Sequence, residues 1–245
     1  MIRNILTFGD SFTYGEELSD NKSAWPYIVA RRCDATVQNF ATPGGSNDQI
    51  VRKFIRVLSS DKIPLHNSVQ LSKQLIIIGW SIPGRTEFHD QEGFFDVWPA
   101  RSGRIWMDPV YSHRHQLTKY VSLYHNDSSF YEKFLQQIII VQTLAKNYGL
   151  KCLMLNIMQN DYYKTKTDFL TDPDNGGNSD IAYATFDDYD KKIDKKFFID
   201  WGVGGMMEWV PENSPKGPNG HFLEPGHIIV AAHVHEAIRN LGWVS

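Results

Sequence analysis

The chain is poor in cysteine: Cys33 and Cys152 are the only two. One possible pair is too few for a disulfide framework, and both lie in apolar segments, where reduced and buried thiols are expected. Excess positive charge is also missing. The formal charge is −3 and no basic block occurs, so the electrostatic footprint of a nucleic-acid binder is absent and no nucleic-acid partner is expected. The longest aliphatic runs, LIIIGW and IIIVQTLA, fall far short of a membrane span. Met1-Ile-Arg-Asn leads directly into an apolar strand, leaving no room for a secretory signal. These absences point to a soluble cytoplasmic or virion-associated protein without a membrane partner. What remains is ordinary for a globular chain with a real core, at 42% hydrophobic and 22% charged residues over 245 positions.

Strand and helix patterns alternate along the chain. Strands are expected over 3–8, 35–40, 73–79, 150–156 and, fifth, 195–200. Helices are expected over 23–33 with Ser23 as cap, 46–60 with Ser46 or Asn47 as cap, 128–149 stopped at Gly149, and 224–242 with Pro225 in the first turn. KQLIIIG (73–79) is apolar on both faces, as a central parallel strand should be. The alternation implies an α/β fold whose parallel sheet of about five strands is covered on both faces, in one domain over 1–245. Stretches at about 80–127 and 157–194 interrupt it. The first is rich in aromatics, including Trp80, Phe88, Phe94, Phe95, Trp98, Trp106 and Tyr111. Loops that long usually carry function, and strand carboxyl ends are where such sheets bind ligands.

The first strand ends in Gly9-Asp10-Ser11, in ILTFGDSFTYGEEL. Taken singly, the tripeptide reads as a turn before it reads as a nucleophile held at a strand end. Three other segments bear on the choice: ATPGGSND (41–48), GWSIPGRTEF (79–88) and PNGHFLEPGH (218–227). In a parallel sheet the first two emerge beside Ser11. A hydrolytic serine needs a base, an orienter for that base, and donors for the developing oxyanion. His221 supplies the first, and Gly44 and Gly45 can bring N–H groups close to a substrate.

Together these segments resemble the SGNH (GDSL-type) hydrolase family over nearly the whole chain, residues 5–240. Ser11 matches the nucleophile of the first block, Gly44 the glycine of the second, and His221 with Gly226 the last. The resemblance implies a flavodoxin-like three-layer fold and ester hydrolysis without a cofactor, and the aromatic stretch suggests a bulky small-molecule or glycan ester as substrate. It places Ser11 and His221 in catalysis and the oxyanion donors at Ser11, Gly44 and the third block. Two positions depart from it. Ser81 stands where the family's third block has an asparagine donor, so either Ser81 or Asn47 from the neighbouring loop fills that place. Asn219 and Pro218 stand where an aspartate orients the histidine. Asn219 in that place, a backbone carbonyl, Glu212 and Glu224 are the alternatives. Trp80 and Arg85 are candidates for substrate contact. A decayed, non-catalytic binding protein and an acyltransferase are the competing functions.

No metal is expected. His233-x-His235 falls on a helix, where residues two apart diverge, and His113-x-His115 is no stronger. DPDNGGNSD (172–180) lacks the glutamate that closes a calcium loop, and WGVGG (201–205) lacks a phosphate-loop lysine.

Overall fold

The computed structural model describes residues 2–60, 71–91, 93–97, 127–158 and 186–244. Its chain order is β1 (Asn4–Phe8), α1 (Ser11–Tyr14), α2 (Trp25–Arg32), β2 (Thr36–Asn39), α3 (Asn47–Leu58), β3 (Gln74–Trp80), β4 (Thr86–Asp90), β5 (Gly93–Val97), α4 (Asp127–Asn147), β6 (Lys151–Asn156), α5 (Met206–Trp209) and α6 (Glu224–Asn240). Four strands form a parallel sheet in the order β2-β1-β3-β6. That is the flavodoxin-like order, which changes direction between β1 and β3.

Side-chain alternation divides the strands between two cores. Leu6 and Phe8, Ile76 and Ile78, Cys152 and Met154 join Ile50 and Phe54 of α3 and Phe134, Leu135 and Ile138 of α4. Ile5, Leu75, Ile77, Leu153 and Leu155 face the other way, against Trp25 and Val29 of α2 and Val230, Val234 and Ile238 of α6. The result is a three-layer α/β/α sandwich. Every residue of β3 is buried, whereas edge strand β2 alternates exposed and half-buried positions. Cys33 and Cys152 belong to opposite layers. Both are free and buried, and burial pushes their thiols up to about 11 and about 12.

Three local expectations change. The fifth strand is a 3₁₀ turn at Lys195–Phe197, capped by Asp194, and only Phe198 bridges to Met154 on the free edge of β6. Ser23 does not cap α2. It closes a short 3₁₀ turn begun by Asp20, and the Trp25 N–H of α2 donates instead to the buried imidazole Nδ1 of His227, at 3.2 Å. Within the first interrupting stretch, β4 and β5 pair as an antiparallel hairpin. Residues 98–126, with Trp98, Trp106 and Tyr111, and 159–185 lie outside the described residues.

The hairpin docks on α3 through polar groups. Ser46 caps α3 by accepting from Gln49 N–H, as expected. The Ser46 N–H and Gln49 Nε2 donate to Asp96 of β5, and Arg52 pairs with both carboxylate oxygens of Glu87 in β4. Asp48 accepts from Thr86, from the Glu87 N–H, from Lys133 and from Gln137, tying hairpin, α3 and α4 together.

Candidate active site

Ser11 sits just past β1, in the first turn of α1. Asp10 caps that turn, its Oδ1 accepting from the Phe12 N–H at 3.1 Å. The turn lies down across the ends of β1 and β3, with Thr13 filling the space above two glycines. A Cβ on Gly9 or Gly79 would come within 2.3 or 2.4 Å of Thr13 Oγ1, so only glycine fits at either position. Asn39 closes the arrangement from β2 by donating to the Thr13 carbonyl.

Beyond Gly15, which ends α1 at φ 88°, come Glu16 and Glu17, the latter held at φ 69°. Glu17 faces the loop before α6. Its Oε2 accepts from His221 Nδ1 at 2.9 Å and from the His221 N–H at 3.1 Å, and its Oε1 accepts from Asn219 N–H and Nδ2. Partial desolvation raises the Glu17 carboxyl, but the hydrogen bonds from Asn219 and His221 outweigh it and hold the group below its ordinary value. An ionised acceptor at Nδ1 puts the proton there and leaves the Nε2 lone pair for a substrate-side proton. The imidazole packs against Phe12, next in sequence to Ser11, with ring centroids 5.0 Å apart.

The carboxylate that bonds His221 Nδ1 is therefore not in the last block. Asn219 bonds Glu17, not the imidazole; it clamps the carboxylate that holds His221. Glu224 is bonded to Ser19, and Glu212 is exposed. The signal for Glu17 was present in sequence, as an acid six residues past Ser11 and just beyond a helix-ending glycine.

The glycine side is built differently. The Thr42 N–H donates to the Gly9 carbonyl, binding the second loop to the first. Gly44 adopts φ 73°, and a Cβ there would meet open space. Ser81 and Asn47 do not take the donor place expected of them. The Ser81 hydroxyl donates to Asp10 Oδ2 at 3.0 Å, while Asn47 accepts from the Ser81 N–H and donates to the Ser81 carbonyl, all buried. Nor does Trp80 face a substrate: it is fully buried, edge-on against Phe134. Arg85 is drawn inward too, pairing with Asp10 at 3.3 Å. Burial raises Asp10 to about 6 against the opposing pull of Arg85, the Ser81 and Phe12 hydrogen bonds and His221.

Among the described residues Ser11 Oγ makes no hydrogen bond, and His221 Nε2 lies 3.5 Å from Glu16 Oε2. Catalytic contacts are often long before substrate arrives. His227 is a different case. It is buried, accepts from Trp25, and desolvation lowers it to about 4. His233 stacks on Trp209.

The family model named "Family of unknown function (DUF6071)" matches residues 13–191. The chain belongs to that family. The match takes in Glu17, Gly44, Asn47, Ser81 and Arg85 but begins after Ser11 and ends before His221, so DUF6071 membership leaves both unassigned. No curated protein matches the chain. Among solved structures, this DUF6071 chain is similar to TesA at TM-score 0.52 and 13% identity, covering 98% of this chain and 99% of that one. Esterase EstA from Pseudoalteromonas sp., inhibited by monoethylphosphonate, matches at TM-score 0.52 and 10% identity over 98% of both chains. A family two carbohydrate esterase from Clostridium thermocellum, in complex with cellohexaose, matches at TM-score 0.50 and 14% identity over 99% of this chain and 65% of that one. These likenesses show an SGNH-type fold. No helix among the described residues is long and apolar enough to cross a membrane.

Proposed function

We propose that the protein is a serine ester hydrolase whose nucleophile is Ser11, whose base is His221 and whose orienting acid is Glu17. The observation that carries this reading is the Glu17–His221 hydrogen bond at 2.9 Å, made from the loop that leaves the Ser11 turn. A carboxylate there fixes the tautomer and stabilises the imidazolium that forms as Ser11 loses its proton.

Ser11 Oγ attacks the ester carbonyl carbon while its proton passes to His221 Nε2. The negative oxygen is received by the backbone N–H groups of Ser11 and Gly44, and collapse of the adduct expels the alcohol, which takes the proton back. Water repeats the sequence on the acyl-serine and regenerates Ser11. The substrate class we attach to this site is an acylated carbohydrate. Its support is the hairpin carrying Phe88, Phe94 and Phe95, which Asp96 anchors beside the glycine loop.

Two observations favour a non-catalytic binding protein: His221 Nε2 faces Glu16, and Ser11 Oγ makes no hydrogen bond among the described residues. A fluorophosphonate probe separates the readings. A hydrolase gives one covalent adduct, mapped by peptide mass to Ser11 and lost in Ser11→Ala. Folded protein that takes up no probe beside an esterase that does is the binding protein.

A further inference from the structure

Three loops converge on one guanidinium. Arg85 Nη1 lies 3.3 Å from Asp10 Oδ2, 3.1 Å from Ser81 Oγ and 3.2 Å from the Gly45 carbonyl. Asp10 precedes Ser11 and Gly45 follows Gly44, so the cation lies one residue along the chain from each backbone donor invoked above. The side chains of Arg85 and Asp10 are 12% and 1% exposed. Screening by water is weak at such depth, and breaking a buried pair by removing one partner leaves an uncompensated charge.

Resting on the serine-nucleophile reading, we propose that Arg85 is a positioning residue for the reaction, an ionic latch that sets the Ser11 turn against the Gly44 loop through Asp10 and Gly45. Covalent neighbours cannot set this spacing, because the two loops are separated in sequence by α2 and β2. The backbone link from Thr42 N–H to the Gly9 carbonyl joins their bases, and Arg85 joins them nearer the reacting atoms. All three contacts are made by one nitrogen, Nη1, which the arginine stem carries to the point where the loops meet. Asp10 is also the carboxylate that caps α1, so the latch and the cap share one charge.

The charged groups acting on Asp10 are Arg85, after β3, and His221, before α6. Arg85 is the largest of the influences that favour the ionised carboxylate against burial, and with the cation in place Asp10 stands at about 6. Loss of the cation therefore moves Asp10 protonation, and with it the opening of the latch, to higher pH.

The test measures the rate constant for Ser11 labelling by a fluorophosphonate between pH 5 and 9 in the wild type, Arg85→Gln and Arg85→Lys. Arg85→Gln is expected to slow labelling at pH 8 by about a hundredfold, the order of loss that misplacing reacting groups by an ångström brings, and to shift the acid limb upward. Arg85→Lys, which keeps the charge, is expected to be intermediate, with the limb near its wild-type position. A structural role without the charge would not produce that difference in limb. If Arg85→Gln fails to fold, Asp10→Asn/Arg85→Gln removes both charges together, and labelling about a hundredfold slower than wild type supports the latch. Wild-type rate and profile in Arg85→Gln, or a wild-type rate in the double variant, overturn it. Wild-type protein that is not labelled at all overturns the serine-nucleophile reading and the latch with it, so the two failures are told apart by the wild type.

Discussion

The two sides of the Ser11 turn are held by different chemistry. On the imidazole side, one carboxylate, 10% exposed, gathers four donors from His221 and Asn219 across some 200 residues of chain. On the glycine side, a neutral amide, Asn47, and a buried ion pair, Asp10 with Arg85, hold the loops from beneath. In the proposed reaction the imidazole, itself 14% exposed, has to change charge in each turnover, and a carboxylate stabilises that change. Backbone donors must only stay where they are, and a buried network with matched donors and acceptors keeps them there. Catalysis and stability should therefore respond oppositely to substitutions on the two sides.

The largest effect on stability is expected from the glycine side. Asn47→Ala strips partners from the buried N–H and C=O of Ser81, at about 1–3 kcal/mol for each group left unsatisfied. Urea unfolding at pH 7 should show a total loss of about 2–6 kcal/mol. A variant as stable as the wild type would mean that water enters the loop and that the buried network is not what holds it.

Next comes acid sensitivity, which sets His227 apart from His221 six positions earlier. The folded protein lowers His227 from 6.5 to about 4, chiefly because burial strips water from the charged form, and the ring accepts from Trp25 through an unprotonated Nδ1. The unfolded chain therefore takes the proton first. Stability from this group is complete above pH 6.5, falls as pH drops toward 4, and amounts to about 3 kcal/mol in total. Asp10 acts in the opposite sense over much of that range. Its folded value is raised from 3.8 to about 6, so the fold gains a proton before the unfolded chain does as pH falls, and stability rises. The wild type should then show a shallow net dependence between pH 6.5 and 4. His227→Gln, which keeps an acceptor and cannot titrate, should gain stability steadily on acidification. An unchanged slope in His227→Gln would place the proton elsewhere.

Much of the fold was legible from sequence because its core strands are apolar on both faces and its helices end in recognisable residues. LIIIG could be little other than a central strand, and Ser46, Gly149 and Gly242 mark helix ends in the structure as they do in sequence. What was not legible depends on partners distant in the chain. His227 does for α2 what Ser23 was expected to do, from 202 residues away. The 195–200 segment reads as a strand by its apolar residues, but Asp194 turns it into a 3₁₀ cap. At the site, Ser11, Gly44 and His221 were each recognisable from a short motif. Glu17 was not, because the last block of the resemblance carries its acid beside the histidine, while here the fold brings a carboxylate to His221 from the loop after Ser11. Ser81 and Asn47 were expected to reach toward a substrate; their hydrogen-bonding groups turn instead to Asp10 and to each other.

The imidazole side carries the account's central claim, that Glu17 and not Asn219 orients His221. The direct measurement is the rate constant of Ser11 phosphonylation in Glu17→Gln set against Asn219→Ala, with folding checked by thermal melts. Replacing the orienting carboxylate of a serine triad by an amide costs about 10⁴ in turnover. Glu17→Gln is accordingly expected to slow labelling by roughly two to four decades, while Asn219→Ala, which removes one of the donors to a carboxylate that stays in place, slows it by less than about tenfold. Equal losses in the two variants, or a Glu17→Gln protein that labels at the wild-type rate, would contradict it.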